Sequence, residues 1–285
     1  MRNGKKGLRW LEQWTNRLTS ARSIKDVRGV HSWLWSTWRR DGASVADDLN
    51  ASLGLTGKDR MQPDMPHLFA GQVESAQLLF VNINPGWNEQ QNRLENAIVA
   101  RSEQDAWSFS RAVFTRYKEE IGLNRWWSQA IGIARCILRS SAPKRVSAQE
   151  KRAWANTHIA GWELFPIHSQ SAGFLHGAGK DAESPLAHAV EASLALATTF
   201  PAKITIVASA AGANRLNNLA RQRRWHALEP PKRGLPTGTT AYAVGQRLFL
   251  SVPRPLVSRF SGVKFNDIAS GIHALQAQLL QGRAK

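Results

Sequence analysis

Runs of apolar residues bounded by turn-formers divide this chain into strands and helices. Leu78-Leu79-Phe80-Val81 is a continuous run of bulky and β-branched side chains ending at Asn82, the pattern of a strand buried on both faces. Ile159 to Phe165 reads as a second strand that stops at Pro166, Lys203 to Ala208 as a third, and Arg247 to Val252 as a fourth. Between them the apolar spacing changes to the helical one. Leu94 to Ala100, Trp107 to Glu120 and Leu123 to Leu138 predict helices, and Ser147 followed by Glu150 is a capping box that opens another. Pro185 to Thr199 predicts an alanine-rich helix, Ser209 starts a helix of small residues, and a last helix runs from about Asp267 to Leu280. Strands alternating with helices mean parallel pairing. The expected fold is therefore α/β: a three-layer α/β/α sandwich with a mainly parallel four-stranded central sheet, and no internal repeat.

The first seventy residues read differently. Trp10, Trp14, Arg17 and Leu18 recur at helical spacing, and Trp33, Trp35 and Trp38 follow among Lys25, Arg28, Arg39 and Arg40. This predicts an N-terminal helical extension over residues 1–70, attached through the Gly54 to Gly71 connector to a main domain over 71–285. The tryptophans fit a packed core better than base-stacking platforms, because burying their area is what stabilises a small helical layer. The cations along its borders suit a phosphate backbone.

Charge narrows the partner. Lys+Arg 38 against Asp+Glu 21 gives a net charge of +17 over 285 residues, with a pI near 11.0. A polyanion is the expected partner. DNA is preferred to a membrane, since no apolar run approaches the length of a spanning helix. The basic start, Met1-Arg2-Asn3-Gly4-Lys5-Lys6, lacks a following apolar run, so no secretory signal is expected. Cys136 is the single cysteine, which rules out an internal disulfide and a cysteine-ligated zinc or iron–sulfur site built from this chain alone. No histidine pair has the HExxH spacing. The expectation is a cytoplasmic monomer without metal or cofactor.

The first strand runs into Asn82-Ile83-Asn84-Pro85-Gly86-Trp87. Pro85 fixes φ and Gly86 frees it, so the loop leaves the strand sharply and holds Asn84 and Trp87 at the rim, where open α/β sheets place their sites. The same tripeptide is also ordinary turn punctuation. The small residues after the third strand, Ser209-Ala210-Ala211-Gly212, open a helix whose first amides can face an anion.

Four strands with site-like loops in this order resemble the uracil-DNA glycosylase superfamily, and within it the mismatch-specific branch, whose first motif reads Gly-Ile-Asn-Pro-Gly. That motif stands here as Asn82-Ile83-Asn84-Pro85-Gly86, and the final motif is similar to Val252-Pro253-Arg254-Pro255-Leu256-Val257-Ser258-Arg259. The resemblance covers about residues 75 to 280. It implies a monofunctional DNA N-glycosylase that flips a pyrimidine-type base out of the duplex and hydrolyses its N-glycosidic bond, leaving an abasic site. Resemblance gives Asn84 the task of positioning the attacking water, and assigns the walls of the base pocket to Asn82, Pro85, Gly86, Trp87 and Phe109; Phe109 reads equally well as core. It places Arg254 or Leu256 in the vacated duplex space and Ser169, Ser209, Ser258 and Arg259 on phosphates. No lysine stands at a motif position, so no Schiff base is expected.

Two departures bear on substrate. The histidine that steadies the leaving base is missing from the last motif, where Val252-Pro253-Arg254 stands, and His168 is its candidate replacement or else an ordinary loop histidine. Where uracil-specific relatives place an asparagine at the end of the second strand, this chain has Glu163. A carboxylate accepts only, which suits the N4 amino group of a cytosine-type base, while a salt bridge with an arginine is the plainer alternative. A role against phage with modified DNA follows from the same resemblance. Two other readings compete: a non-catalytic nucleic-acid-binding protein with this fold, and a Rossmann-like enzyme on a small phosphorylated molecule, which the lack of a GxGxxG or a Walker P-loop disfavours.

Overall fold

The computed structural model describes residues 6–83, 89, 92–93, 96–97, 106–117, 125–138, 147–171, 173, 184–253 and 265–281. The chain divides into two compact units. One comprises Met1–Ala70, Ile83–Ala112 and Trp162–Phe200; the other comprises Gly71–Asn82, Val113–Gly161 and Pro201–Lys285. Residues 1–70 thus share a unit with two later segments.

In the first unit, α1 (Lys6–Ser20) buries Gly7, Trp10, Leu11, Trp14 and Leu18, a single stripe at helical spacing. Its partner α2 (Ile24–Ser52) starts at a reciprocal capping box between Ser23 and Asp26. The short link between them makes an antiparallel hairpin. Gly7 is the contact point at the far end: a Cβ there would come within 2.7 Å of the Leu49 backbone nitrogen. Indoles fill the hairpin, with Trp10 stacked on Trp14 at 5.9 Å and on Trp33 at 6.0 Å. Trp35 and Trp38 donate their indole N–H groups to the carbonyls of Pro66 (3.2 Å) and Pro63 (3.0 Å), fastening the connector to α2. Trp10, Trp14, Trp35 and Trp38 are at most 4% exposed, so they are core. The expected helix from Trp107 is short: α3 (Ala106–Arg111) gives way to a π-helical turn at Val113–Tyr117.

The strands are β1 (Phe69–Gly71), β2 (Leu78–Asn82), β3 (Ile159–Glu163), β4 (Ile204–Ala208), β5 (His226–Leu228), β6 (Thr240–Val244) and β7 (Arg247–Val252). They form one sheet in the order β1-β3-β2-β4-β7-β6-β5. The expected four strands, β3, β2, β4 and β7, are contiguous in its middle, and among the described residues the count of four is corrected to seven. The three additions sit at the edges. β1 and β5 are only three residues long, and β6 reaches the sheet by folding back antiparallel on β7 through a turn at Gly245, whose φ is +58°. The basic segment from Arg221 to Gly238 contains β5.

In the second unit β2 pairs parallel with β4, Leu78 opposite Ile204, and β4 pairs parallel with β7, Ile204 opposite Leu248. All five residues of β4 are buried, so both of its faces are covered. The helices of this unit are α4 (Arg125–Ile137), α5 (Ala148–His158), α7 (Ala210–Gln222) and α8 (Phe265–Gln281); α6 (Pro185–Ala197) belongs to the first unit. α7 packs on β4 and β7, and α8 packs on α4, where His273 hydrogen-bonds the Ile137 carbonyl at 2.8 Å. Among the described residues no helix is long and apolar enough to cross a membrane.

Candidate functional site

Because β2, β4 and β7 run parallel, their carboxyl ends leave the sheet at one edge. Asn82 ends β2 half-buried, Ser209 follows β4, and Pro253 follows β7. Asn82 and Pro253 lead into the first and last motifs, and Ser209 leads directly into α7. Ser209 caps α7: its hydroxyl accepts from the Gly212 N–H at 3.0 Å, satisfying one of the amides that a helix start leaves open. Ala211, Gly212 and Ala213 are buried, and Ser251 donates to the Ala213 carbonyl at 3.0 Å, which seats the first turn of α7 on the sheet. The Ser209 hydroxyl expected on a phosphate is thus engaged by its own helix.

In the first unit, the loop over residues 164–171 is held by backbone hydrogen bonds on both sides. His67 N–H donates to the Pro166 carbonyl (2.9 Å), Gln62 N–H to the His168 carbonyl (2.8 Å), and Ser171 N–H to the Lys58 carbonyl (2.9 Å). On the other side Phe165 N–H donates to the Ile83 carbonyl at 2.9 Å. Ile83 immediately precedes Asn84, so the residue that leads into Asn84-Pro85-Gly86 is fastened beside the loop that follows β3. Phe165 is fully buried, edge-on to Trp14 at 5.5 Å, which anchors this junction in the helical core.

His168 is 3% exposed and fixed through both ring nitrogens. Nε2 lies 3.1 Å from the Met65 carbonyl and Nδ1 lies 3.2 Å from the Asn92 side-chain nitrogen. A carbonyl only accepts, so Nε2 donates to Met65, and Nδ1 faces the Asn92 amide. One helical turn on from Asn92, Asn96 donates to Asp64 at 2.7 Å and accepts from the Met65 N–H at 3.4 Å. Asn92 and Asn96, four residues apart in sequence, thus hold the connector and His168 together. Sequence reasoning passed over them; their i, i+4 spacing after the Asn84 turn is the signal that could have found them.

Other expected site residues also face inward. Phe109 lies in the contact between α3 and α2, with its ring 5.5 Å from Trp35, and neighbouring Ser110 hydrogen-bonds His31 at 3.0 Å. Its candidacy as a stacking wall is corrected to core packing, because α3 turns its apolar side onto α2. Ser169 is buried and donates its hydroxyl to the Ser171 carbonyl, so it stabilises its own loop. Glu163 ends β3 half-buried; its backbone N–H donates to the Leu68 carbonyl at 2.9 Å and its carbonyl accepts from Ser193 at 3.4 Å. Asn84, Pro85, Gly86, Trp87, Arg254, Leu256, Ser258 and Arg259 lie outside the described residues.

Beside this cluster the first unit carries an open cleft of about 650 Å³ between α2 and the connector, with Trp38, Arg39, Arg40, Pro63, Met65 and Asn96 among its lining residues. At its border Asp41 accepts from Lys6 (2.8 Å) and from Arg40 (2.7 Å), and these two hydrogen bonds, Lys6 first, hold its carboxyl below the usual aspartate range. Among the described residues no group of three or more His, Cys, Asp or Glu could hold a metal ion. No family model matches the chain, and no curated protein matches it.

Proposed function

We propose that the protein is a monofunctional DNA glycosylase that flips a pyrimidine-type base and hydrolyses its N-glycosidic bond. The observation that carries this reading is the parallel alignment of β2, β4 and β7, which brings Asn82, Ser209 and Pro253 to one sheet edge. The net charge of +17 supports a polyanionic substrate, and the Ile83–Phe165 hydrogen bond supports a fixed starting point for the Asn84 turn.

In this mechanism the side-chain carbonyl of Asn84 orients a water toward C1′ of the flipped nucleotide. The water oxygen bonds to C1′, the C1′–N bond breaks with its electron pair leaving on the base, and the proton shed by the water ends on the departed base anion. An amide carbonyl is too weak a base to take the water's proton early, so the rate rests on positioning and on stabilising the oxocarbenium-like transition state. Its buried, doubly hydrogen-bonded ring makes His168 a positioning residue that keeps the loop after Glu163 in place, rather than a group touching the leaving base. Glu163 accepts from the N4 amino group of a cytosine-type base, modified forms included, and a role in defence against phage with modified DNA follows from that preference.

The test is a set of labelled duplexes carrying uracil, a thymine mismatch or modified cytosines, incubated with the parent protein and with Glu163→Gln. Selectivity should move away from cytosine-type bases in the variant; equal profiles would sink the assignment of Glu163.

The inward-facing positions of Phe109, His168, Ser169 and Ser209 favour a second reading, a nucleic-acid-binding protein without catalysis. It differs in predicting tight, salt-sensitive binding with no abasic product from any of these duplexes.

A further inference from the structure

The exposed face of α2 is unusual in its order. Lys25, Arg28, Ser32, Ser36, Arg39 and Arg40 are all exposed and recur at intervals of three or four residues, so they lie along one side of the helix. Cations stand at both ends, and between them are short side chains and Gly29, around which a Cβ would meet nothing within 4 Å. From Lys25 to Arg40 the helix advances about 22 Å, the axial length covered by roughly six phosphates of one strand in B-form DNA. The acids nearby are already engaged. Asp26 accepts from the backbone of Arg22 and Ser23, Asp47 pairs with Arg60 at 3.3 Å, and Asp41 is held by Lys6 and Arg40. Two cations, Lys6 and Arg40, therefore share one carboxylate at the end of this stripe, and Arg39 stands beside them.

That end opens into the cleft. The Arg39 guanidinium lies over the Trp35 ring at 5.4 Å, a contact that fixes its plane and leaves N–H edges for an oxyanion. The cleft is open along one side, with Pro63 and Met65 as apolar wall. A small-molecule pocket encloses most of its ligand; an open trough rimmed by arginines admits a chain.

We infer that the exposed face of α2 and the cleft at its middle form a track for a nucleic-acid strand, with Arg39 and Arg40 gripping successive phosphates where the strand enters the cleft. The inference shares with the proposed function the premise of a nucleic-acid partner and uses none of its chemistry.

The test measures binding of a short labelled oligonucleotide by fluorescence anisotropy across a range of salt concentrations. The proteins are the parent, Arg39→Ala/Arg40→Ala, Lys25→Ala/Arg28→Ala, and a control, Arg221→Ala/Arg223→Ala/Arg224→Ala. The control residues are exposed at the end of α7, away from the edge where that helix starts, and there cations complement the helix dipole. Arg39→Ala/Arg40→Ala should lose about tenfold in affinity or more, and its dependence of log K on log salt should flatten by about 1 to 2. Lys25→Ala/Arg28→Ala should flatten it similarly, and the control should change affinity by less than about threefold. Circular dichroism checks that each variant folds, and Arg39→Lys/Arg40→Lys should restore the salt dependence. An unchanged slope in Arg39→Ala/Arg40→Ala, or an equal loss in the control, would overturn the track. So would a mononucleotide that displaces the strand at equal phosphate concentration, since the cleft would then be a small-molecule site. Abasic-product formation is scored separately: no product with a flattened slope leaves the track standing and removes the glycosylase, and product with an unchanged slope does the reverse.

Discussion

Replacing His168 with alanine separates a loop clamp from a group that touches the leaving base. The ring is 3% exposed and makes two hydrogen bonds, to the Met65 carbonyl at 3.1 Å and to the Asn92 amide at 3.2 Å, with His67 edge-on at 5.0 Å. Two hydrogen bonds contribute about 1 kcal/mol each, and depriving a buried amide of that partner costs about 1 to 3 kcal/mol. The space left by the ring adds on the order of 1 kcal/mol. The sum, about 4 to 6 kcal/mol, is a large part of the roughly 5 to 15 kcal/mol that holds a domain folded. The assay is urea unfolding followed by tryptophan fluorescence, in which the His168→Ala midpoint should fall by about 1 M or more. Asn92→Ala should fall less, and a double-mutant cycle between the two should give a coupling of about 1 kcal/mol. A His168→Ala midpoint within about 0.2 M of the parent, with product formation abolished, would refute the clamp and return the ring to the chemistry.

Glycine positions provide a paired test. Gly71 has φ +83°, and a Cβ there would lie 2.6 Å from the Ile159 carbonyl, so Gly71→Ala should cost at least about 2 kcal/mol in urea unfolding, from left-handed strain plus the clash. Gly29→Ala, in an open helical position, should instead stabilise by about 0.5 to 1 kcal/mol. Glu150 is held below the usual glutamate range by hydrogen bonds from Ser147, the backbone N–H first and the hydroxyl second. Its folded value is the lower one, so its contribution is complete above the unfolded glutamate value and is lost as pH falls through the folded value. An NMR pH titration should place its carboxyl below ordinary glutamates, and Ser147→Ala should move it part of the way back. Ser147→Ala should also cost about 1 kcal/mol of stability as a lost helix cap.

The parts of the fold that were legible in the sequence are those with local signals. β2, β4 and β7 are apolar runs long enough to be buried on both faces, and the caps at Ser147 and Ser209 follow from residues three apart. The edge strands were not legible, because three residues such as Phe69–Gly71 or His226–Leu228 have no pattern of their own and become strands only by pairing with a neighbour. The π-helical turn at Val113–Tyr117 has no composition signal either. In the candidate site, the carboxyl-edge starts at Asn82, Ser209 and Pro253 follow from strand order alone. The engagement of His168 by Met65 and Asn92, up to 103 residues apart in sequence, depends on tertiary contact. So does the burial of Phe109 against Trp35, which pattern alone could assign to a pocket or to a core.

The central claim is chemical, and formation of abasic sites tests it most directly. Labelled DNA carrying uracil, mismatched thymine or modified cytosine is incubated with the parent protein or Asn84→Ala, and each sample is divided between neutral buffer and hot alkali. The account predicts strand cleavage for at least one base only after alkali, and its loss in Asn84→Ala with binding retained. Intact strands from every substrate, bound tightly and in a salt-dependent manner by both proteins, would contradict it.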